Sequence, residues 1–143
     1  LADRFDVAAD VWSVTSYKAL RHDGLDTERW NMLHPAEPAR LPFVSQCLAG
    51  APGVFVTASD FTKTLPDSIA RWFPRLPVSL GTDGFGRSDG RRALRDFFEV
   101  DARYITFATL SALVRQQQLS PAVLPQVIRE LDINPEKMNP LGA

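Results

Sequence analysis

The sequence has almost no cysteine and very little net charge. Cys47 is the single cysteine among 143 residues, so no disulfide can form within the chain, and a reducing cytosol suits it. No apolar run approaches the roughly 18 residues that a membrane-spanning helix needs. The 16 Lys and Arg residues nearly balance the 17 Asp and Glu residues, so no basic excess indicates a nucleic-acid partner. These features exclude disulfide scaffolds and membrane spans, and they are typical of one domain with its own core.

Residues for catalysis are also scarce. The only histidines, His22 and His34, have no cysteine or paired carboxylate at metal-ligand spacing, and we interpret them as a surface residue and a helix-end residue. Cys47 has no neighbouring histidine or lysine that would lower its pKa, which favours a small buried side chain over a nucleophile. No nucleophile elbow is present. The sequence therefore predicts no catalytic, cofactor-binding or metal-binding residue in this chain.

The most informative stretch is rich in glycine. Val78–Leu80 is typical of the end of a buried strand, and Gly81–Gly86 follows with three glycines in six residues. Ser88 and Asp89 are good helix N-caps. Apolar residues in Arg91–Phe98 then predict a short helix. A strand, a glycine turn and a helix form half a unit of an α/β fold.

The spacing of the glycines leaves two interpretations open. Gly81-x-x-Gly84-x-Gly86 matches neither the dinucleotide fingerprint nor the P-loop, so we favour a tight structural turn. That turn consists of Gly81, Asp83, Gly84, Phe85, Gly86 and Ser88. On this interpretation Gly84 or Gly86 adopts a positive φ, and Phe85 is buried. The alternative is a free-standing α/β module that binds a small anion at Gly81–Gly86 through backbone N–H groups.

Residues 1–143 are predicted to form a single three-layer α/β domain with a mainly parallel sheet. Its strands are expected at Val11–Thr15, Val54–Ala58 and Val78–Leu80, the second of which is apolar enough to be buried on both faces. Helices are predicted after the caps Ser16, Thr27, Asp101 and Ser120, with a break at Asp23-Gly24. The helix after Asp101 is so apolar that it should be buried, either within the chain or against a partner. Residues 134–143 read as a polar tail.

Several strings resemble a known family. Asp83-x-Phe85-Gly86-x-Ser88, followed by an apolar helix and Phe98-Glu99-Val100-Asp101, resembles the C-terminal domain of the transketolase superfamily. Longer strings resemble, in the same order, the homodimeric bacterial type of pyruvate dehydrogenase, the thiamine-diphosphate-dependent decarboxylating component of its complex. These strings are VWSVTSY (Val11–Tyr17), ERWNMLHP (Glu28–Pro35), LGTDGFGRSD (Leu80–Asp89) and INPEKMNP (Ile133–Pro140).

The resemblance implies a role within a larger enzyme of pyruvate metabolism, at the end of glycolysis. That enzyme, a cytoplasmic homodimer, decarboxylates pyruvate with thiamine diphosphate and passes the acetyl group to the lipoyl group of a partner acyltransferase. Thiamine diphosphate and Mg²⁺ are held by other domains, and the cofactor supplies the carbanion stabilisation. This chain resembles only the third domain. Gly81–Gly84, GTDG, is an imperfect match to the diphosphate motif, and no downstream Asn pair follows it.

The resemblance therefore implies a structural, dimer-interface domain that is inactive alone. Its expected partners are the remaining domains of its own chain, the second subunit of the homodimer and the lipoyl acyltransferase, with neither nucleic acid nor membrane among them. A first strand and helix of the domain are expected before Leu1, so the sheet would lack its first strand here. The helix at Asp101–Arg115, with Tyr104 and Phe107, is the surface expected to support the dimer.

Overall fold

The computed structural model describes the whole chain, from Leu1 to Ala143. It contains seven α-helices and two strands, together with 3₁₀ turns at Ala70–Trp72, Pro121–Val123 and Pro140–Gly142. The elements are α1 (Ala2–Phe5), α2 (Tyr17–Leu33), α3 (Phe43–Cys47), β1 (Val56–Ala58), α4 (Thr64–Asp67), β2 (Val78–Leu80), α5 (Arg91–Phe97), α6 (Ala102–Arg115) and α7 (Leu124–Glu130). None of the helices has the length and apolar composition of a transmembrane segment.

The two strands pair in parallel. Val56 lies opposite Val78, and Ala58 lies opposite Leu80. The Thr57 hydroxyl donates a hydrogen bond of 3.0 Å to the Ser79 hydroxyl across the pair. Parallel neighbours need a crossover connection, which α4 and the following 3₁₀ turn provide. Two of the predicted strands and their parallel direction are thus confirmed.

Helices cover both faces of this strand pair. Just before β1, Val54 packs against one hydrophobic cluster and its neighbour Phe55 packs against another. The first cluster belongs to the α6–α7 side and consists of Leu110, Leu113, Val127 and Leu131. The second belongs to the α2–α3 side and consists of Val44, Leu48, Ile69 and Trp72. Because consecutive residues of an extended chain point to opposite faces, the strand pair separates two helical layers, and the predicted α/β class is confirmed.

The predicted strand at Val11–Thr15 is wrong. These residues belong to no helix or strand and connect α1 to α2, and Val11 is 96% exposed. No backbone hydrogen bond involves a residue from Ala8 to Thr15. β-branched and aromatic residues favour extended backbone, but a strand also needs a neighbour with which to share its N–H and C=O groups. The segment Ala8–Thr15, called here the N-terminal segment, has no such neighbour.

Helix α2 is longer than the sequence predicted. It begins at its Ser16 cap, whose hydroxyl accepts a 3.1 Å hydrogen bond from the N–H of Ala19, as expected. It then continues through Gly24, where a break was predicted, because the ring of Trp72 packs directly against that glycine. A Cβ on Gly24 would lie 2.4 Å from the Trp72 ring, so the glycine is required by packing and not by a turn. Thr27 consequently lies within the helix and caps nothing.

Helix α6 is the buried helix of the fold. The carboxylate of Asp101 accepts hydrogen bonds from the N–H groups of Arg103 (2.9 Å) and Tyr104 (3.2 Å), which confirms the predicted N-cap. Leu110 is fully buried between the strand pair and α7. Of the two predicted ways to bury this helix, the structure therefore shows burial within the chain.

Candidate functional site

Two loops meet at the carboxyl end of the parallel strands, where open α/β sheets bind their ligands. One loop is Ser59–Lys63 after β1, and the other is Gly81–Gly86 after β2, called here the glycine turn. The N–H of Thr82 donates to the carbonyl oxygen of Phe61 at 2.9 Å. The Thr82 hydroxyl donates to the carbonyl oxygen of Asp60 at 3.0 Å. The two loops are therefore held together by their own hydrogen bonds.

Gly81 and Asp83 make this contact close. Gly81 is buried, and a Cβ there would lie 2.7 Å from the carbonyl oxygen of Phe61 and 2.9 Å from the nitrogen of Lys63. The Asp83 carboxylate accepts a 2.9 Å hydrogen bond from the N–H of Lys63 and lies 3.8 Å from the ammonium of the same residue. Asp83 thus acts as a brace between the loops.

Gly84 meets the C-terminal tail. Its φ is +98°, which confirms the prediction of a positive φ at Gly84 or Gly86. A Cβ on Gly84 would lie 2.6 Å from the carbonyl oxygen of Pro140 and 3.2 Å from the Cα of Leu141. This glycine is needed both for its backbone conformation and for the close approach of the tail.

The outer part of the turn differs from its predicted form. Phe85 is 81% exposed, because every residue from Gly84 to Ala93 lies in solvent and nothing packs over the ring. A Cβ on Gly86 would meet no atom within 4 Å, so this position does not require glycine. Ser88 makes no capping hydrogen bond, and α5 begins after Gly90 instead.

The acidic side chains at the strand ends are already paired. Asp60 binds the guanidinium of Arg95 through two hydrogen bonds of 3.1 and 2.9 Å. The hydrogen bonds that Arg95 donates to the Asp60 carboxylate are the main reason why the pKa of Arg95 is raised. Asp83 is held by Lys63, as described above. These carboxylates are engaged in holding loops and helices, which leaves them poorly suited to bind a ligand.

An ion network joins α5, α6 and the tail. Arg103 binds both Asp96 and Asp101, and Lys137 from the tail donates to the carbonyl oxygen of Asp96. The Lys137 ammonium lies 5.2 Å from the centre of the Tyr104 ring. Residues 134–143, predicted as a polar tail, are therefore docked on the domain through Lys137 at this network and through Pro140 at Gly84.

In this network the pKa of the acid Asp101 is lowered and the pKa of Tyr104 is raised, so both shift further from pH 7. Burial pushes the pKa of Asp101 upward, but hydrogen bonds from Arg103 and from the N–H of Tyr104 lower it below its ordinary value. Burial, reinforced by the carboxylates of Glu99 and Asp96, raises the pKa of Tyr104. Burial likewise raises the pKa of Tyr17 on α2. These shifts stabilise the resting protonation state of each group, whereas a general acid or base needs a pKa near the working pH.

His22 lies on α2, and His34 directly follows the last residue of that helix. His22 is exposed, and His34 ends the helix with its ring Nδ1 2.8 Å from the carbonyl oxygen of Trp30, to which it donates. The His34 ring stacks on Trp30 at 4.4 Å, and the Arg40 guanidinium lies 3.6 Å from the centre of the Trp30 ring. His34 thus has the helix-end role that the sequence indicated. Of the three tryptophans, only Trp72 is buried.

The sequence did not predict three long-range contacts, namely Asp60 with Arg95, Asp83 with Lys63, and Lys137 with α5. The partners are separated by 35, 20 and 41 residues, and spacing along the chain carries no signal at that range. One signal for the tail was available. Asn134 accepts a hydrogen bond of 2.9 Å from the N–H of Glu136, an Asx turn that the string Asn134-Pro135 could have indicated.

Comparison with known proteins identifies relatives along nearly the whole chain. A family model described as the transketolase-like C-terminal domain matches residues 1–101. A protein of Pseudomonas aeruginosa is 44% identical over 142 residues, which are 99% of this chain and 16% of that protein. Proteins of Haemophilus influenzae (43% over 144 residues, 100% of this chain) and Escherichia coli K12 (42% over 141 residues, 98%) match similarly, again over 16% of their length. All three are named "Pyruvate dehydrogenase E1 component", and the chain spans about a sixth of the length of each.

Proposed function

The chain belongs to the family of transketolase-like C-terminal domains, and we propose that it is the non-catalytic C-terminal domain of a pyruvate dehydrogenase E1 component. In this proposal the longer protein decarboxylates pyruvate with thiamine diphosphate and passes the acetyl group to a lipoyl group of a partner acyltransferase, in the cytoplasm. The observation that carries the proposal is the similarity of nearly the whole chain to relatives that share one name.

The residues of this chain do not fit thiamine diphosphate and Mg²⁺. No group of three His, Cys, Asp or Glu side chains lies close enough to hold a metal ion. At the strand ends, Asp60 and Asp83 already bind Arg95 and Lys63, and a diphosphate beside these carboxylates would meet like charge. We therefore propose that the cofactor is held by other parts of the longer protein, and no chemical step is assigned to this chain.

The exposed apolar side chains support a role in assembly. Monomeric proteins rarely expose contiguous apolar patches, and such patches mark contacts with partners. Val11, Trp12 and Val14 of the N-terminal segment are exposed. A second group lies at the end of α2, in the loop that follows and at the start of α3, and it consists of Met32, Leu33, Leu41 and Phe43. We propose that these two groups, called here the assembly surface, contact other domains of the same chain or the second subunit of a homodimer.

We propose no assembly role for helix α6, the surface that the sequence indicated. Phe107 packs against the α6–α7 cluster of its own chain. Tyr104 is half-buried beneath Arg103 and Lys137. A charged residue at either position would thus disturb the fold of the domain before it disturbed a subunit contact. The assembly role is therefore proposed for the exposed groups and not for α6.

The alternative function, small-anion binding at the glycine turn, receives little support from the geometry. Gly81 is buried against the backbone of Phe61 and Lys63. The Asp83 carboxylate already accepts a hydrogen bond from the backbone N–H of Lys63 and lies near the ammonium group of the same residue. An anion would have to displace Asp83 to reach these donors. The turn is better explained as a structural connection between the loops.

Calorimetric titration of the chain with thiamine diphosphate and Mg²⁺ tests the proposal. We expect no heat of binding from the chain alone and clear binding to the full-length protein that contains it. The full-length protein is the positive control for the cofactor preparation. Micromolar affinity of the isolated chain for the cofactor would overturn the proposal that this domain is non-catalytic.

A further inference from the structure

We propose that the face formed by Phe85–Arg92 and α5 docks an acidic segment of a partner protein, with an apolar side chain of that segment as its anchor. This inference goes beyond the proposed function, because it concerns a charged surface remote in sequence from the assembly surface. It depends on three guanidinium groups, called here the arginine rim: Arg87, Arg91 and Arg92.

The charge of this face is unlike that of the chain. The eight residues Phe85–Arg92 contain three arginines and one aspartate, although the whole chain has a net charge of −1. All seven ion pairs of the structure are formed by other residues. The nearby Arg95 and Arg103 are both paired with carboxylates, so the rim is a cluster of free positive charge beside arginines that are already neutralised.

Local stability does not explain two of these arginines. Arg91 and Arg92 begin α5, whose first turn contains no acidic residue. The dipole of a helix disfavours positive charge at this end. Arg87 is placed differently, since its guanidinium lies 4.6 Å from the centre of the Phe97 ring. That contact holds Arg87 beside the helix, where its donors remain available because the side chain is exposed.

The shape of the face suits a polypeptide better than a small anion. A groove runs between Gly86–Asp89 and the side chains of Ala93, Leu94 and Phe97 on α5. Phe85, which directly precedes the groove residues in sequence, is 81% exposed, and Phe61, on the loop whose backbone bonds to Thr82, is 68% exposed. A phosphate ion would use only the guanidinium groups. A peptide could pair its carboxylates with the arginines and place an apolar side chain against the aromatic rings.

Fluorescence anisotropy with a labelled peptide, in which four glutamates stand on either side of one leucine, tests this proposal. We expect the chain to bind it, and binding to weaken as salt is raised from about 50 to about 300 mM. Arg91→Glu with Arg92→Glu should weaken binding at least about tenfold. The matched control is Arg21→Glu with Arg29→Glu, which changes two exposed arginines of α2 that form no ion pair, and it should weaken binding less than about threefold.

A second variant separates charge from anchoring. Phe85→Ser should weaken binding of the leucine peptide and leave binding of an all-glutamate peptide unchanged. Melting curves of each variant check that the fold is intact. An arginine-rim variant that binds as well as its control would overturn the proposal. So would displacement of the peptide by an equal concentration of inorganic phosphate, or tighter binding of a single-stranded oligonucleotide.

Discussion

Apolar side chains are buried on the α6–α7 side of the molecule but exposed in the N-terminal segment. Leu110 and Val127 have no exposed surface, whereas Val11 is 96% exposed and Trp12 is 61% exposed. The difference does not come from residue type, since valine occurs in both. It comes from the presence of a packing partner within the chain. The comparison therefore separates the part of the domain that stabilises its own fold from the exposed part for which we propose contacts with other domains or a second subunit.

The largest effect is expected where burial is complete. Leu110→Ala should lower the free energy of unfolding by about 2–5 kcal/mol, because it removes buried methyl groups and leaves a cavity between α6 and α7. Chemical denaturation of the chain measures this cost. The control is Leu76→Ala, at a side chain that is 83% exposed, and its effect should stay within about 0.5 kcal/mol. Equal costs for the two variants would contradict the assignment of the core.

A smaller effect is expected at the glycine turn. Gly84→Ala should cost about 1–3 kcal/mol, because alanine is strained at a φ of +98° and its Cβ would collide with the carbonyl oxygen of Pro140. Gly86→Ala is the matched control, two residues away and with open space around its Cα. Its effect should be below about 0.5 kcal/mol. Thermal melts of the two variants compare them directly, and a larger loss for the Gly86 variant would reverse our interpretation of the turn.

The cap of α6 should show a pH-dependent effect. Asp101→Ala should cost about 1 kcal/mol at pH 7, because two backbone N–H groups and Arg103 lose their acceptor. The folded state lowers the pKa of Asp101 below its ordinary value of 3.8. The stabilisation is therefore complete above the unfolded pKa and is lost as the pH falls through the folded one.

Denaturation curves at a series of pH values test this window. The stability difference between Asp101→Ala and the unsubstituted chain should shrink below about pH 4, where the carboxylate becomes protonated. Asp10→Ala is the control, because Asp10 is exposed and forms no hydrogen bond. A cost of Asp101→Ala that stayed constant down to pH 2 would show that the negative charge contributes nothing to the cap.

The features that the sequence predicted correctly depend on neighbouring residues. The caps Ser16, Asp101 and Ser120 act within three residues, and all three accept the expected hydrogen bonds. The sequence runs at β1 and β2 also form the predicted strands, although their residues are only partly buried and not buried on both faces as expected. Local chemistry is enough to determine elements of this kind.

The errors arose where a residue depends on distant partners. The N-terminal segment has the composition of a strand, but no strand lies beside it. A glycine such as Gly24 usually indicates a helix break, but the ring of Trp72, 48 positions later, packs against it and the helix continues. Phe85 resembles a core residue, but its turn projects beyond the packed layers. Distant partners of this kind have no signal in the spacing of residues along one sequence.

The smallest effect on folding is expected at the assembly surface, where the largest effect on assembly should appear. Val11→Ser with Trp12→Ser should leave the melting temperature of the chain nearly unchanged, because neither side chain is buried. In the full-length protein the same change should weaken contacts with other domains or the second subunit. Leu76→Ser, an isolated exposed apolar residue, is the control.

The most direct test of the assembly role is to measure, on that full-length double variant, both the dimer dissociation constant and the rate of pyruvate decarboxylation per assembled dimer. Sedimentation velocity gives the first quantity, and turnover at protein concentrations above the dissociation constant gives the second. We predict a dissociation constant raised at least about tenfold, equivalent to about 1.4 kcal/mol, with turnover per dimer unchanged. A variant that remained fully dimeric but lost decarboxylation would contradict the proposed assembly role and would indicate that this domain takes part in catalysis.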